Sequence, residues 1–204
     1  MGSLERRERE KRELRQKILD AARELFATEG FEATTMRRIA ERIEYSPTAI
    51  YLHFADKEAL LQELCTTDFQ SLAQRFVQLE KLNDPVKRLR QLGQAYADFG
   101  LAYPEAYRFM FMTPKPTQAP EGNIGNPVTD PYALLREVIT QCIEAGALKP
   151  HLKDVDLVAQ TMWAGLHGVI ALHLVAEKHE KHNWRPVEKR VKAMLDMLTD
   201  WVAR

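Results

Sequence analysis

Three observations predict an all-α fold. Apolar residues recur at helical spacing almost everywhere. No run of four or more residues alternates apolar and polar with β-branched enrichment, as a half-buried strand would. Residues suited to cap or stop a helix fall between the periodic stretches. About nine helices are expected.

The first, about Glu8 to Glu29, sets Leu14, Ile18, Ala21, Leu25 and Phe26 on one stripe and stops at Gly30, a residue suited to a left-handed C-cap. A second starts after Thr34 or Thr35, either able to cap it, and turns Ile39, Ala40 and Ile43 inward. After Glu44-Tyr45, a third has Ser46 as N-cap and Pro47 at its first position, where a missing N–H costs nothing, and ends near Phe54. Ala55-Asp56 opens a fourth of some 25 residues running past Leu60, Leu64, Leu72 and Phe76 to Leu79. Its length suggests a connector between two bodies.

A fifth helix is expected over Val86 to Leu101, and Tyr103-Pro104 ends it and opens a sixth, EAYRFMFM. Residues 113–128 hold four of the ten prolines and two glycines, the composition of a surface loop. Helices resume at Asp130 to Ala145, Asp154 to Lys178 and Pro186 to Ala203. Two domains are expected, 1–56 and 57–204.

Composition narrows the function classes. With 45% hydrophobic and 28% charged residues, the 204-residue chain has an ordinary globular balance. No run of 18 apolar residues and no apolar leader is seen, so a cytoplasmic protein without a membrane span is expected. Cys65 and Cys142 each sit in an apolar helical pattern, suiting reduced thiols. The 29 basic and 29 acidic residues cancel, so any polyanionic partner must be argued from local placement. Arg6 to Lys17 hold seven basic and three acidic residues, and this stretch is expected to be a frayed charged extension or to add minor-groove or phosphate contacts.

Two short helices on a longer first one form a helix-turn-helix arrangement, whose second short helix enters the DNA major groove. Ile50 and Phe54 fall together toward the core, leaving Pro47, Thr48, Tyr51 and Leu52 pointing elsewhere. The stretches FEATTMRRIAERI and SPTAIYLHFADKEAL resemble the DNA-binding region of the TetR family of transcriptional regulators, over about residues 14–64 without a gap. The resemblance implies a homodimer that reads a palindromic DNA operator with its N-terminal domain and senses a small molecule with the rest.

Carried over, it implies phosphate contacts for Thr35 and Tyr51, with His53 nearby and Lys57 reaching from the start of the fourth helix. Arg37 matches a position that can fork onto a guanine, and Pro47, Thr48, Ala49 and Leu52, with Ser46 at their head, face base edges. Read without the resemblance, Arg37 is equally an i, i+4 partner of Glu41. Glu44 stands where the family usually has glycine, so either a positive φ is mildly strained there or the turn is built differently.

In the C-terminal body, Tyr103, Tyr107, Phe109, Met110, Met112, Met162, Trp163, Leu166 and His167 are expected around a small-molecule site, their rings and thioethers suiting a hydrophobic or aromatic effector. The stretch MWAGLHGVIAL is similar to a Trp-His-Gly signature of one TetR C-terminal subclass. Its Ala164, Gly165, Gly168 and Ala171 make a small-residue surface that, with the last helix, is the expected dimer seam.

His173, His179 and His182 near Glu177 and Glu180 are too loosely spaced to imply a metal, and no cofactor is expected. No Gly-rich phosphate loop, G-x-S-x-G or paired carboxylates appear, so an enzyme is not expected. The rival is a helical adaptor that binds only protein. The most economical reading is a repressor released from DNA by its effector.

Overall fold

The computed structural model describes residues 2–77, 84–112, 125–127, 130–176 and 183–204. Among them are nine helices: α1 Ser3–Thr28, α2 Met36–Arg42, α3 Pro47–Tyr51, α4 Lys57–Val77, α5 Pro85–Ala102, α6 Pro104–Phe111, α7 Pro131–Glu144, α8 Val155–Ala176 and α9 Val187–Val202. The chain divides into two compact units, Met1–Thr67 with Arg108–Pro120, and Asp68–Tyr107 with Glu121–Arg204.

Caps set most helix boundaries. Thr35 and Ser46 accept from the N–H groups of Arg38 (3.1 Å) and Ala49 (3.2 Å), and Asp56 accepts from Ala59 at 2.7 Å. Asp84 and Asp130 cap α5 and α7, each ahead of a proline. Gly30, at φ 88°, ends α1 by donating its N–H to Phe26 O at 3.1 Å. α1 begins earlier than predicted, since the Glu5 carboxylate takes the Gly2 N–H at 3.0 Å and Arg6–Glu10 and Arg9–Glu13 pairs brace its first turns. α3 ends earlier than predicted, at Tyr51, with Leu52 and His53 in the turn that follows.

In the first unit α1, α2, α3 and the start of α4 close on one core, in which Ile18, Ile39, Ile50 and Leu60 are wholly buried. Phe26 meets Phe31 edge-on at 5.1 Å, and the buried Thr34 hydroxyl donates to Gly30 O at 2.8 Å. In the second unit the core lies between α5, α7, α8 and α9. Here glycines on α5 permit close approach: a Cβ at Gly93 would lie 2.7 Å from Leu195 Cδ2, and one at Gly100 would lie 2.9 Å from the Tyr107 ring.

The small-residue stripe of α8 divides. Gly165 faces α9, 3.1 Å from Met194 Sδ to a Cβ placed on it, whereas Gly168 meets nothing within 4 Å. α8 is also the one helix among the described residues with the length and composition of a membrane span, mean hydropathy 1.3 over Val155–Val175. It buries Val158, Met162, Leu166 and Ile170 and exposes Leu157, Leu172 and Val175. The histidines 179 and 182, Glu177, Glu180 and most of the 113–128 loop lie outside the described residues.

Candidate functional site

The α3 segment presents a surface made by its own periodicity. Ile50 and Phe54 are buried, while Ser46, Pro47, Thr48, Tyr51 and Leu52 are exposed and Ala49 is half-buried. Leu52 is 79% exposed and lies next to Tyr51, 54% exposed, so two large side chains share this rim. Thr35 lies exposed at the head of α2, and the guanidinium of Arg37 pairs with Glu41 at 3.0 Å. Tyr51 and Leu52 are thus exposed, whereas Arg37 is held by Glu41.

The α2–α3 turn is a Schellman motif: the Tyr45 N–H donates to Ala40 O at 3.0 Å and the Glu44 N–H to Glu41 O at 3.3 Å. This geometry demands a left-handed residue at Glu44, whose φ is 60°. Ahead of Ala147 the same motif closes α7 with Gly146, at φ 65°. Glu44→Gly is therefore expected to raise the stability of the head by about 0.5–1 kcal/mol, strain relief exceeding the entropy a glycine loses. A urea midpoint that stays put or falls would refute the strain.

Two cations brace the surface from behind. Arg15 of α1 donates through Nη1 to His53 O at 3.0 Å, forks onto Glu63 of α4, with Nε at 3.1 Å from Oε1, and lies 4.2 Å over the Phe54 ring. Lys57, expected to reach a phosphate, donates to Phe31 O at 3.0 Å and sits 4.4 Å over the Phe31 ring, tying α4 to the loop after α1. His53 Nδ1 is buried and without a hydrogen-bond partner. Burial first, then the charges of Arg15 and Lys11, hold this imidazole below its ordinary range, so it is neutral near pH 7.

The second unit holds a polar network that the sequence only half discloses. The Tyr96 and Tyr107 hydroxyls are 2.8 Å apart, Tyr107 Oη is 2.5 Å from His167 Nδ1, and the Trp163 indole donates to Tyr96 Oη at 3.0 Å. Burial pushes the Tyr96 phenol up to about 12 and the Tyr107 phenol further, and lowers His167, so every member is neutral near pH 7.

The indole can only donate, so the Trp163–Tyr96 bond has a fixed direction, whereas either phenol can donate to the other and the role of His167 Nδ1 follows its tautomer. With the proton on Nε2, His167 Nδ1 accepts from Tyr107. Trp163 is 37% exposed and its ring lies 5.9 Å from Tyr132, so it links this buried chain to solvent.

The other predicted effector residues scatter. Met162 and Leu166 are buried on α8, but Tyr103 is exposed and accepts from Arg75 at 2.7 Å. Buried Met110 and exposed Met112 fall in the unit of the N-terminal helices, and the Phe109 side chain lies outside the description. Tyr96 and Arg15 were not singled out by sequence, since each reads there as one more residue along a helical stripe.

The chain matches the family model of bacterial regulatory proteins of the tetR family over residues 18–64, and that of the tetracyclin repressor-like C-terminal domain over residues 89–198. It is 40% identical over 62 residues to the HTH-type transcriptional regulator UidR of Escherichia coli (strain K12), a match covering 30% of this chain and 32% of UidR. A 35% identity over 96 residues relates it to the HTH-type transcriptional repressor AcnR of Corynebacterium diphtheriae, over 47% of this chain and 44% of AcnR. The chain thus spans about a third to under half the length of these relatives. The solved structure of the fatty acid degradation regulator FadR from Bacillus halodurans shares the fold, with a TM-score of 0.71 at 19% identity over 91% of this chain and 94% of that one.

Proposed function

The chain belongs to the TetR family of bacterial regulatory proteins, and from that premise we propose that it is a homodimeric repressor, released from a palindromic DNA operator by a small hydrophobic or aromatic effector. The observation that carries the reading is α3: a capped helix with a buried Ile50 and an exposed rim of Pro47, Thr48, Tyr51 and Leu52. Thr35 and Tyr51 hold phosphates with His53 nearby, Lys57 adds charge from behind them, and Ser46 to Ala49 with Leu52 meet base edges in the major groove. Arg37 exchanges Glu41 for a guanine.

Exposed Leu172 and Val175 of α8, with Met197 of α9, support a seam between two copies. Two heads about one DNA turn apart, ~34–36 Å or somewhat more, then read a palindrome. The Trp163–Tyr96–Tyr107–His167 network and the buried Met162 and Leu166 are the effector site. An effector acts by its differential affinity for the DNA-competent and incompetent states.

The test is selection of duplexes from a randomised pool, followed by anisotropy titrations. A palindromic motif should be enriched, and Tyr51→Phe should weaken binding roughly 10- to 100-fold, the worth of one hydrogen bond to a charged group. Helicity by circular dichroism should not change. No enrichment, with Tyr51→Phe behaving like wild type, would leave the protein-binding adaptor as the reading.

A further inference from the structure

Residues 4–13 of α1 are all exposed, so the first turns of this helix extend beyond the core of their own unit. Their charges are not arranged alike around the helix. Arg6–Glu10 and Arg9–Glu13 neutralise one another at 3.5 Å each. Arg7, Lys11 and Arg12 make no ion pair among the described residues, and Glu8, four residues before Arg12, is not drawn to it.

Arg7, Lys11 and Arg15 are spaced by four, so they stand in line along the helix. Like charges at this spacing destabilise an isolated helix; Glu63 offsets Arg15, whereas Arg7 and Lys11 have no ion-pair partner among the described residues. The line ends at the reading surface: Arg15 donates to His53 O beside α3, and the charge of Lys11 is felt at His53.

We propose that the exposed turns of α1 form a second contact with the DNA backbone, in which Arg7, Lys11 and Arg12 neutralise phosphates next to those met by α3. The occupant follows from charge complementarity and from continuity with the α3 surface. A duplex offers one negative charge per ~1.7 Å of axis, and three unpaired cations on a rigid helix meet it without ordering a flexible arm. This inference rests on the DNA-binding reading. It adds affinity without sequence information, because phosphates are the same at every site.

The experiment compares wild type with Arg7→Ala/Lys11→Ala/Arg12→Ala on two labelled duplexes, one selected from the randomised pool and one of scrambled sequence, over a series of KCl concentrations. Alanine favours helix, so the variant should keep its helicity. The slope of log affinity against log salt should become shallower by about 2–3 on both duplexes, with affinity lower on the order of 100-fold near physiological salt and converging at high salt. The ratio between the two duplexes should stay the same.

A control, Arg6→Ala/Arg9→Ala, removes two cations that already have partners and should change the slope less. An unchanged slope in the triple variant, or an equal loss in the control, overturns the inference. Wild type that binds both duplexes alike defeats the repressor reading, while the slope difference on the scrambled duplex still judges the contact. Wild type that binds neither defeats both.

Discussion

Replacing Tyr107 with alanine is expected to lower the unfolding free energy by about 3–5 kcal/mol, the range for emptying a buried aromatic site. Tyr107 is wholly buried, and its ring fills the space left by Gly100. Truncation leaves a cavity against α5, bordered by the Tyr96 hydroxyl and His167 Nδ1.

Tyr107→Phe should behave differently. It keeps the ring and removes only the bridging oxygen, and Tyr96 Oη already lies 3.2 Å from His167 Nδ1. Tyr96 can therefore donate directly to the imidazole, and the expected cost is about 1 kcal/mol. Denaturant titration of the two variants checks the contrast: equal losses would mean that the hydroxyl, not the ring, holds this part of the core.

Arg15→Ala is expected to cost about 2–3 kcal/mol, because it unpairs Glu63, leaves His53 O without its donor and uncovers the Phe54 ring. Arg15→Lys should recover only part of this, since an ammonium cannot reproduce the fork onto a carboxylate. The same substitution loosens the end of α3 from α1, so affinity for a selected duplex should fall roughly tenfold or more. Its salt slope should hold, as Arg15 faces Glu63 rather than phosphate. With Arg15 gone the His53 imidazole should titrate at a higher pH, which proton NMR can follow. An Arg15→Ala protein with wild-type stability and affinity would remove Arg15 from the reading head.

These two sites also mark where sequence reading succeeds and where it stops. Caps are local, so Ser46, Asp56 and Gly30 could be placed from their neighbours alone and each does the expected work in the structure, while of Thr34 and Thr35, both able to cap α2, it is Thr35 that does. The exposed rim of α3 follows from helical spacing in the same way.

The network around Tyr107 does not, because Tyr96 and Trp163 lie 67 residues apart and only packing brings their polar tips together. Periodicity assigns Tyr96 to the core and says nothing of its hydroxyl. Lys57 illustrates a second limit: a cation near the start of a helix can face outward to a ligand or inward to a loop carbonyl. Here the Phe31 ring and carbonyl hold it, and no spacing rule anticipates them. The start of α1 was missed for a third reason, since charged turns look frayed until their i, i+4 partners are seen to meet.

The turn residue Glu44 has one more consequence. In a repressor, the effector dose that clears half the operators depends on how firmly the protein holds DNA as well as on the effector site, because the two equilibria draw on the same population. On the proposed reading, the negative charge of Glu44, two places before the cap of α3, would keep that hold below its maximum. With glycine there, the same effector site would respond only at higher doses. The setting of the genetic switch would then reside partly in one charged side chain far along the chain from any residue that touches the effector.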